Sequence, residues 1–202
     1  MSLAREVNRS VRSSLVLWVI TALIYPLSMV AIGQTLFPFQ ANGSIISNSA
    51  GQPVGSALIG QPFTSDRYFN ARPSTINYST VDPRKDDANI LKTGVSGASN
   101  LAPSNPDLIK RIKETNAQLK AAGVGVTPDL LYTSGSGLDP HISPEAAKAQ
   151  IPRIAKVRKL QANEVEELVK KNTDGRFLGI FGEPGVNVLK LNLDLDRLKT
   201  AP

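Results

Sequence analysis

Apolar side chains are concentrated at one end of this chain. Residues 15–37 read LVLWVITALIYPLSMVAIGQTLF, and no charged side chain stands between Arg12 and Asp66. At about 1.5 Å per residue the run makes a helix about 34 Å long, enough to cross a bilayer core. Arg5, Arg9 and Arg12 precede it with only Glu6 opposing them, and the next Lys or Arg is Arg67. By the positive-inside rule the basic flank stays in the cytoplasm and the body lies outside. Trp18, Phe37 and Phe39 stand near the two ends, where aromatic rings favour the interfaces. A cleaved signal peptide is the competing reading, since Ala31 and Gly33 offer small residues at the minus-three and minus-one positions. The run is longer than an h-region of about 7 to 15 residues and continues through Leu36 and Phe37, which favours an anchor. Both readings export the body.

Pro26 falls mid-span, where it removes the hydrogen bond to the Ala22 carbonyl and should kink the helix unless a neighbour satisfies that group. Thr21, Ser28, Ala31 and Thr35 place small or weakly polar groups on one face. Such a face suits close packing against another membrane helix; alternatively the hydroxyls bond their own backbone.

Beyond the apolar run the pattern changes repeatedly. Residues 38–54 are rich in Gly, Ser, Asn and Gln, a linker with one short strand at Ile45-Ile46. GSALIGQPF at 55–63 reads as strand, and 66–105 carries Pro, Ser, Asn and Gly with little apolar periodicity. A structureless stretch of that length in a compact domain usually binds something or stays mobile. Asn105-Pro106-Asp107 supplies a cap, a first-turn proline and an early acid, and Leu108, Ile112, Thr115 and Leu119 form a stripe that ends at Gly123. The chemistry predicts a strand at 130–133, a second helix opened by Ser143-Pro144-Glu145 and interrupted at Pro152, and a third helix with an Asn163/Glu166 capping box. After Gly175 it predicts strands at 177–181 and 186–195, because Leu189, Leu191, Leu193 and Leu195 alternate with polar residues. The fold class expected is one N-terminal transmembrane helix plus a mixed α/β (α+β) extracytoplasmic domain with a small sheet and about three helices.

Composition narrows the function classes. The net charge of +6 falls to +4 without the N-terminal flank, and Lys and Arg in the body are interrupted by Asp and Glu. With aromatics at 5%, that is not the clustered basic surface of a nucleic-acid binder. The absence of cysteine removes disulfides and thiol chemistry, and His141 is the only histidine, so no metal motif is present.

Candidate chemistry is sparse. Ser136, Asp139 and His141 supply the residue types of a hydrolase triad within six positions, but triad groups normally converge from separated segments. The surrounding Thr133-Ser134-Gly135-Ser136-Gly137 also lacks the first glycine of a nucleophile elbow. Asp139-Pro140 more simply starts a turn. No phosphate-binding loop appears, and Gly123-Val124-Gly125 lacks the rest of a dinucleotide fingerprint. Lys92-Thr93-Gly94 echoes the D-K-T-G phosphorylation signature of P-type ATPases, yet Leu91 stands where the phosphate-accepting aspartate belongs.

Four stretches in order nevertheless resemble one family. They are GSALIGQ at 55–61 running into YFNARPS at 68–74, SGASNLAPSNP at 96–106, TSGSGLDPHIS at 133–143, and LGIFGEPGVNVL at 178–189. Behind one membrane helix, they resemble KdpC, the C subunit of the bacterial Kdp potassium-transporting ATPase. Asn70-Ala71 departs from the family's usual residues before Arg-Pro-Ser, and the segment 79–93 is longer and more charged than usual. The resemblance implies a four-subunit pump in which a channel-like A subunit takes up potassium, a P-type B subunit hydrolyses ATP and a small F subunit is present. It further implies that the C subunit is non-catalytic and needed for assembly and activity, in a family described as a catalytic chaperone raising the ATP affinity of the B subunit. No cofactor or metal is then bound directly, and ATP and potassium are handled by the partners. The charge pattern puts the body outside while ATP is inside, against direct nucleotide contact. The expected organisation is a cytoplasmic N-terminus at 1–14, a membrane helix at 15–37 in the inner membrane, a linker at 38–54 and a periplasmic domain at 55–202. Candidate partner contacts, drawn from the family stretches, are Gln61, Arg72, Ser96, Asn100, Ser134, Asp139 and His141.

Overall fold

The computed structural model describes residues 2–80 and 94–198. Lys92 and Thr93, and the middle of the long polar stretch after Arg72, lie outside the described residues. The chain divides into two compact units, Met1–Ile45 and Ile46–Pro202.

The first unit is built on a continuous helix, Leu3–Leu36, long and apolar enough to cross a membrane. It comprises α1 (Leu3–Trp18), a π turn (Val19–Ile24) and α2 (Tyr25–Leu36). The π turn is the local answer to Pro26. A proline has no N–H to offer the preceding turn and its ring crowds the carbonyl there, and a wider turn that closes Tyr25 N–H onto the Ile20 carbonyl makes room. The hydroxyls of Thr21, Ser28 and Thr35 bond the carbonyls of Leu17, Ile24 and Ala31 at 2.8, 2.7 and 2.7 Å, so each is satisfied by its own helix. A short helix α3 (Pro38–Ala41) follows.

At the start of the second unit, β1 (Ile45–Ser47), whose first residue is the last of the first unit, and β2 (Pro53–Ser56) form a two-stranded sheet. Their turn is set by Asn48, whose side-chain oxygen accepts from the N–H groups of Ala50 and Gln52, each at 3.0 Å. Helix α4 (Pro106–Ala121) begins as the sequence predicts, the Asn105 side chain accepting the Asp107 N–H at 2.8 Å, and Gly123 follows it at φ +68°. Ser143 likewise caps α6 (Pro144–Lys148) through the Ala146 N–H, and Pro152 sits in the first turn of a separate helix α7 (Ile151–Arg158).

Five predicted elements take another form: of the strand expected at 55–63 only Gly55 and Ser56 join β2, and 177–181 is a closed turn. Residues 130–133 are not a strand: Thr127-Pro128-Asp129 opens a one-turn helix α5 (Pro128–Leu131) with the same proline-then-acid opening as α4 and α6. The capping box of α8 (Ala162–Lys171) pairs Gln161 with Glu164, two residues earlier than expected. The leucine-rich segment is a helix, α9 (Val188–Arg197), started by Asn187 accepting the Lys190 N–H at 3.1 Å. Leucines two apart fit a strand, but Val188, Leu191 and Leu195 also recur at three and seven residues. That is one helical stripe, and all three are fully or nearly fully buried.

Strands β3 (His141–Ile142), β4 (Thr173–Asp174) and β5 (Gly185–Asn187) make an antiparallel sheet with β5 central. Ile142 and Val186 of that sheet pack with Ala146, Ile151, Ile154, Val165, Val169, Leu191 and Leu195 from the helices in one core.

Phe69 enters the same core on a segment without regular structure, and side chains take the place of a neighbouring strand. The carbonyls of residues 66 to 70 each accept from one: Asp66 and Tyr68 from Arg153, Arg67 from Arg158, Phe69 from Asn192 and Asn70 from Gln150. The N–H groups of Phe69 and Asn70 donate back to Asn192 and Gln150 at 2.9 and 2.8 Å. Arg158 also covers the Tyr68 ring at 4.9 Å and binds Asp196 at 2.7 Å. Buried backbone groups must find partners, and here α7, its N-cap Gln150 and α9 supply them. The Arg153 guanidinium is held below its usual pKa range by this burial, against the opposing charge of Asp66.

Candidate functional site

The segment that follows Phe69 carries Arg72 to the edge of the three-stranded sheet. Its guanidinium lies between two carboxylates, 3.2 Å from Asp139 and 3.7 Å from Asp129. Both acids are oriented by backbone donors: the His141 N–H reaches Asp139 at 2.9 Å and the Ser143 N–H reaches Asp129 at 2.7 Å. The His141 ring stands 4.0 Å from Asp139 and 3.7 Å from Asp174, with the Asn187 amide at 3.5 Å. These groups line a cavity of about 410 Å³ whose other wall is Gly175, Glu183, Pro184 and Gly185.

The polar loops behind this cluster interlock. The Ser74 hydroxyl donates to the Gly137 carbonyl at 2.7 Å, the Gly97 N–H to the Ser136 carbonyl at 2.8 Å, and the Ser134 N–H to the Pro73 carbonyl at 3.1 Å. Two glycines make this approach possible. A Cβ on Gly60 would stand 2.5 Å from the Asp139 carbonyl and 2.9 Å from the Tyr78 ring. Gly137 has φ +68° and would meet Ile76 at 2.6 Å. Tyr78 is buried in the same junction, its hydroxyl donating to the Arg72 carbonyl. Desolvation, with the Asp139 charge adding to it, pushes its pKa up to about 12. Asn77, Tyr78 and Ser79 all have positive φ, a left-handed turn held in place by these bonds.

Of the partner-contact candidates, the structure brings Arg72, Asp139 and His141 together. Ser134 is buried, its hydroxyl accepting the Gly137 N–H at 2.7 Å. Gln61 turns inward, donating to the Val54 carbonyl at 2.7 Å and tying its loop to β2. Ser96 and Asn100 are exposed, and the Ser96 hydroxyl donates to the Ser136 carbonyl at 3.1 Å. The triad reading loses its geometry: the Ser136 hydroxyl accepts the Leu138 N–H at 3.1 Å, and among the described residues no hydrogen bond joins it to His141. No group of metal-ligating side chains is found among the described residues. The sequence does not single out Asp129 and Asp174: the β3–β5–β4 pairing brings Asp174 beside His141, and α5 delivers Asp129 to the Ser143 N–H and Arg72. Chemically the cluster is a clamp. Arg72 crosslinks α5 to the loop before β3, while three aspartates against one arginine leave the cavity acidic.

Residues 7–197 match the family model described as "KdpC: K+-transporting ATPase, c chain". A potassium-transporting ATPase KdpC subunit of a Nostoc species is 66% identical, the alignment covering 98% of this chain and 99% of that one. The counterpart from Microcystis aeruginosa is also 66% identical, with 98% of each covered, and that of Clostridium kluyveri is 48% identical over 90% of this chain and 89% of its own. The chain therefore belongs to the KdpC family.

Proposed function

We propose that this chain is the non-catalytic, membrane-anchored subunit of a high-affinity, ATP-driven potassium uptake complex, needed for assembly and activity. In this reading its body docks on the channel-like A subunit, the P-type B subunit hydrolyses ATP, and the small F subunit completes the assembly. The observation that carries it is the family match over residues 7–197, on a body whose Arg72 cluster is a salt-bridged clamp and whose Ser136 hydroxyl bonds Leu138. The basic flank of Arg5, Arg9 and Arg12 supports a cytoplasmic N-terminus and a periplasmic body in the inner membrane. Any influence on ATP affinity then passes through the partner subunits, since body and nucleotide are on opposite sides.

The test is to purify the other subunits with and without this chain in mild detergent. Co-purification and a potassium-stimulated ATPase activity that depends on the chain are the expected results. Elution of the chain alone, with full ATPase activity in its absence, would refute the reading.

A further inference from the structure

The connection between β4 and β5, residues 175–184, turns apolar side chains outward. Phe177, Leu178, Ile180 and Phe181 are 71%, 73%, 72% and 61% exposed. The tip is nonetheless ordered by its own bonds. Phe177 N–H reaches the Phe181 carbonyl at 2.8 Å, Phe181 N–H returns to the Phe177 carbonyl at 3.0 Å, and Arg176 grips both Glu183 oxygens at 3.0 and 2.9 Å. Leu178 sits at φ +53°, a strained setting for a leucine that only a closed turn sustains. The sequence reading places a strand at 177–181. The chain forms a compact finger with those residues on the outside.

A contiguous apolar patch kept out of a core marks an interaction surface. Three occupants compete for it: lipid, a second copy, or another protein. The cavity beside the finger carries Asp129 and Asp139 against Arg72, Glu183 paired with Arg176, and the 71% exposed Asp174 at its lip, a net surplus of carboxylates. Anionic bilayer surfaces attract basic segments, so a tip rimmed by surplus carboxylates is poorly matched to lipid. A protein recess with Lys or Arg around its mouth satisfies both the apolar tip and the acidic rim. The two phenyl rings offer on the order of 300 Å² for burial. That is a substantial part of the roughly 800 Å² per partner in a standard interface.

We infer that the finger at residues 177–181 inserts into an apolar recess of a neighbouring transporter subunit, whose basic side chains face the acidic lip beside it. This rests on the subunit reading above and adds to it the surface that docks.

The chain has no cysteine, so Phe181→Cys gives the full-length protein a single attachment point for an environment-sensitive dye. The expected result is a blue shift on adding the remaining subunits in detergent, with none in protein-free nanodiscs and none that grows with the concentration of the chain alone. A shift in protein-free nanodiscs assigns the tip to lipid, a concentration-dependent shift assigns it to a second copy, and either overturns the inference. In a parallel titration, full-length Phe177→Ala/Phe181→Ala should bind the remaining subunits at least about 30-fold more weakly, as the loss of a central aromatic anchor does. Asp174→Lys should weaken binding as well. Wild-type binding with an unaffected double variant overturns the inference alone, whereas failure of the wild-type chain to bind overturns the subunit reading with it.

Discussion

Two five-residue segments of the body invite comparison, 66–70 and 177–181. Each contains phenylalanine, and neither belongs to a regular strand. In the first, Phe69 is fully buried and every carbonyl is held by a side chain from α7, its N-cap Gln150 or α9. In the second, the backbone closes on itself and the large side chains face outward. The difference teaches where architecture ends and recognition begins. A segment whose backbone is satisfied by distant residues is locked into the fold, while one satisfied locally can present its side chains to something else.

The comparison is broken most forcefully by emptying the first segment. Phe69→Ala should destabilise the full-length chain by about 3 to 5 kcal/mol, read by denaturant titration in detergent, because it leaves a cavity in the core. A loss under about 1 kcal/mol would mean that the segment is not locked. Arg153→Met comes next. It removes the donor from the half-buried Tyr68 carbonyl and from the Asn70 and Gln150 side-chain oxygens, while the exposed Asp66 carbonyl can turn to water, so a loss of about 1 to 3 kcal/mol is expected.

A smaller and pH-dependent effect belongs to Asp194 on α9. Burial opposes its ionisation, but hydrogen bonds from Lys171 and Asn172 and the charges of Lys171 and Arg197 outweigh that and hold the carboxyl below its usual range. Because the folded value is the lower one, the stability it contributes is present above the unfolded pKa, near 4, and is lost as pH falls through the folded value. Asp194→Asn should flatten the decline of stability below about pH 4, checked by thermal denaturation across pH. An unchanged acid profile would show that the pair with Lys171 contributes nothing. The smallest effect sharpens the comparison from the other side: Phe177→Ala/Phe181→Ala should leave the free energy of unfolding within about 0.5 kcal/mol of wild type, as exposed substitutions do.

These contrasts also mark what the sequence makes legible. The openings of α4 and α6 follow from local chemistry, a cap, a proline and an acid within three residues, and both form as read. The opening of α5 has the same proline and acid at Pro128 and Asp129, but Leu130-Leu131-Tyr132-Thr133 resembles a strand more strongly to the eye. In α9 the leucine alternation hid a helical stripe, and Asn187 as a cap was the signal that could have decided between them. The acidic cluster was half legible: Arg72, Asp139 and His141 lie in the family stretches, whereas Asp129 and Asp174 join them only through tertiary pairing. The fate of the two phenylalanine segments was not legible, because apolar content does not say whether a turn faces a core or a partner.

Amide hydrogen exchange on the full-length chain, alone in detergent and in the assembled complex, tests the division directly. The account predicts that residues 66–70 are protected to the same degree in both states, while amides at 177–181 slow by at least tenfold on assembly, on the order expected for burial at an interface. Equal exchange of 177–181 in both states, or protection gained at 66–70 instead, would contradict it.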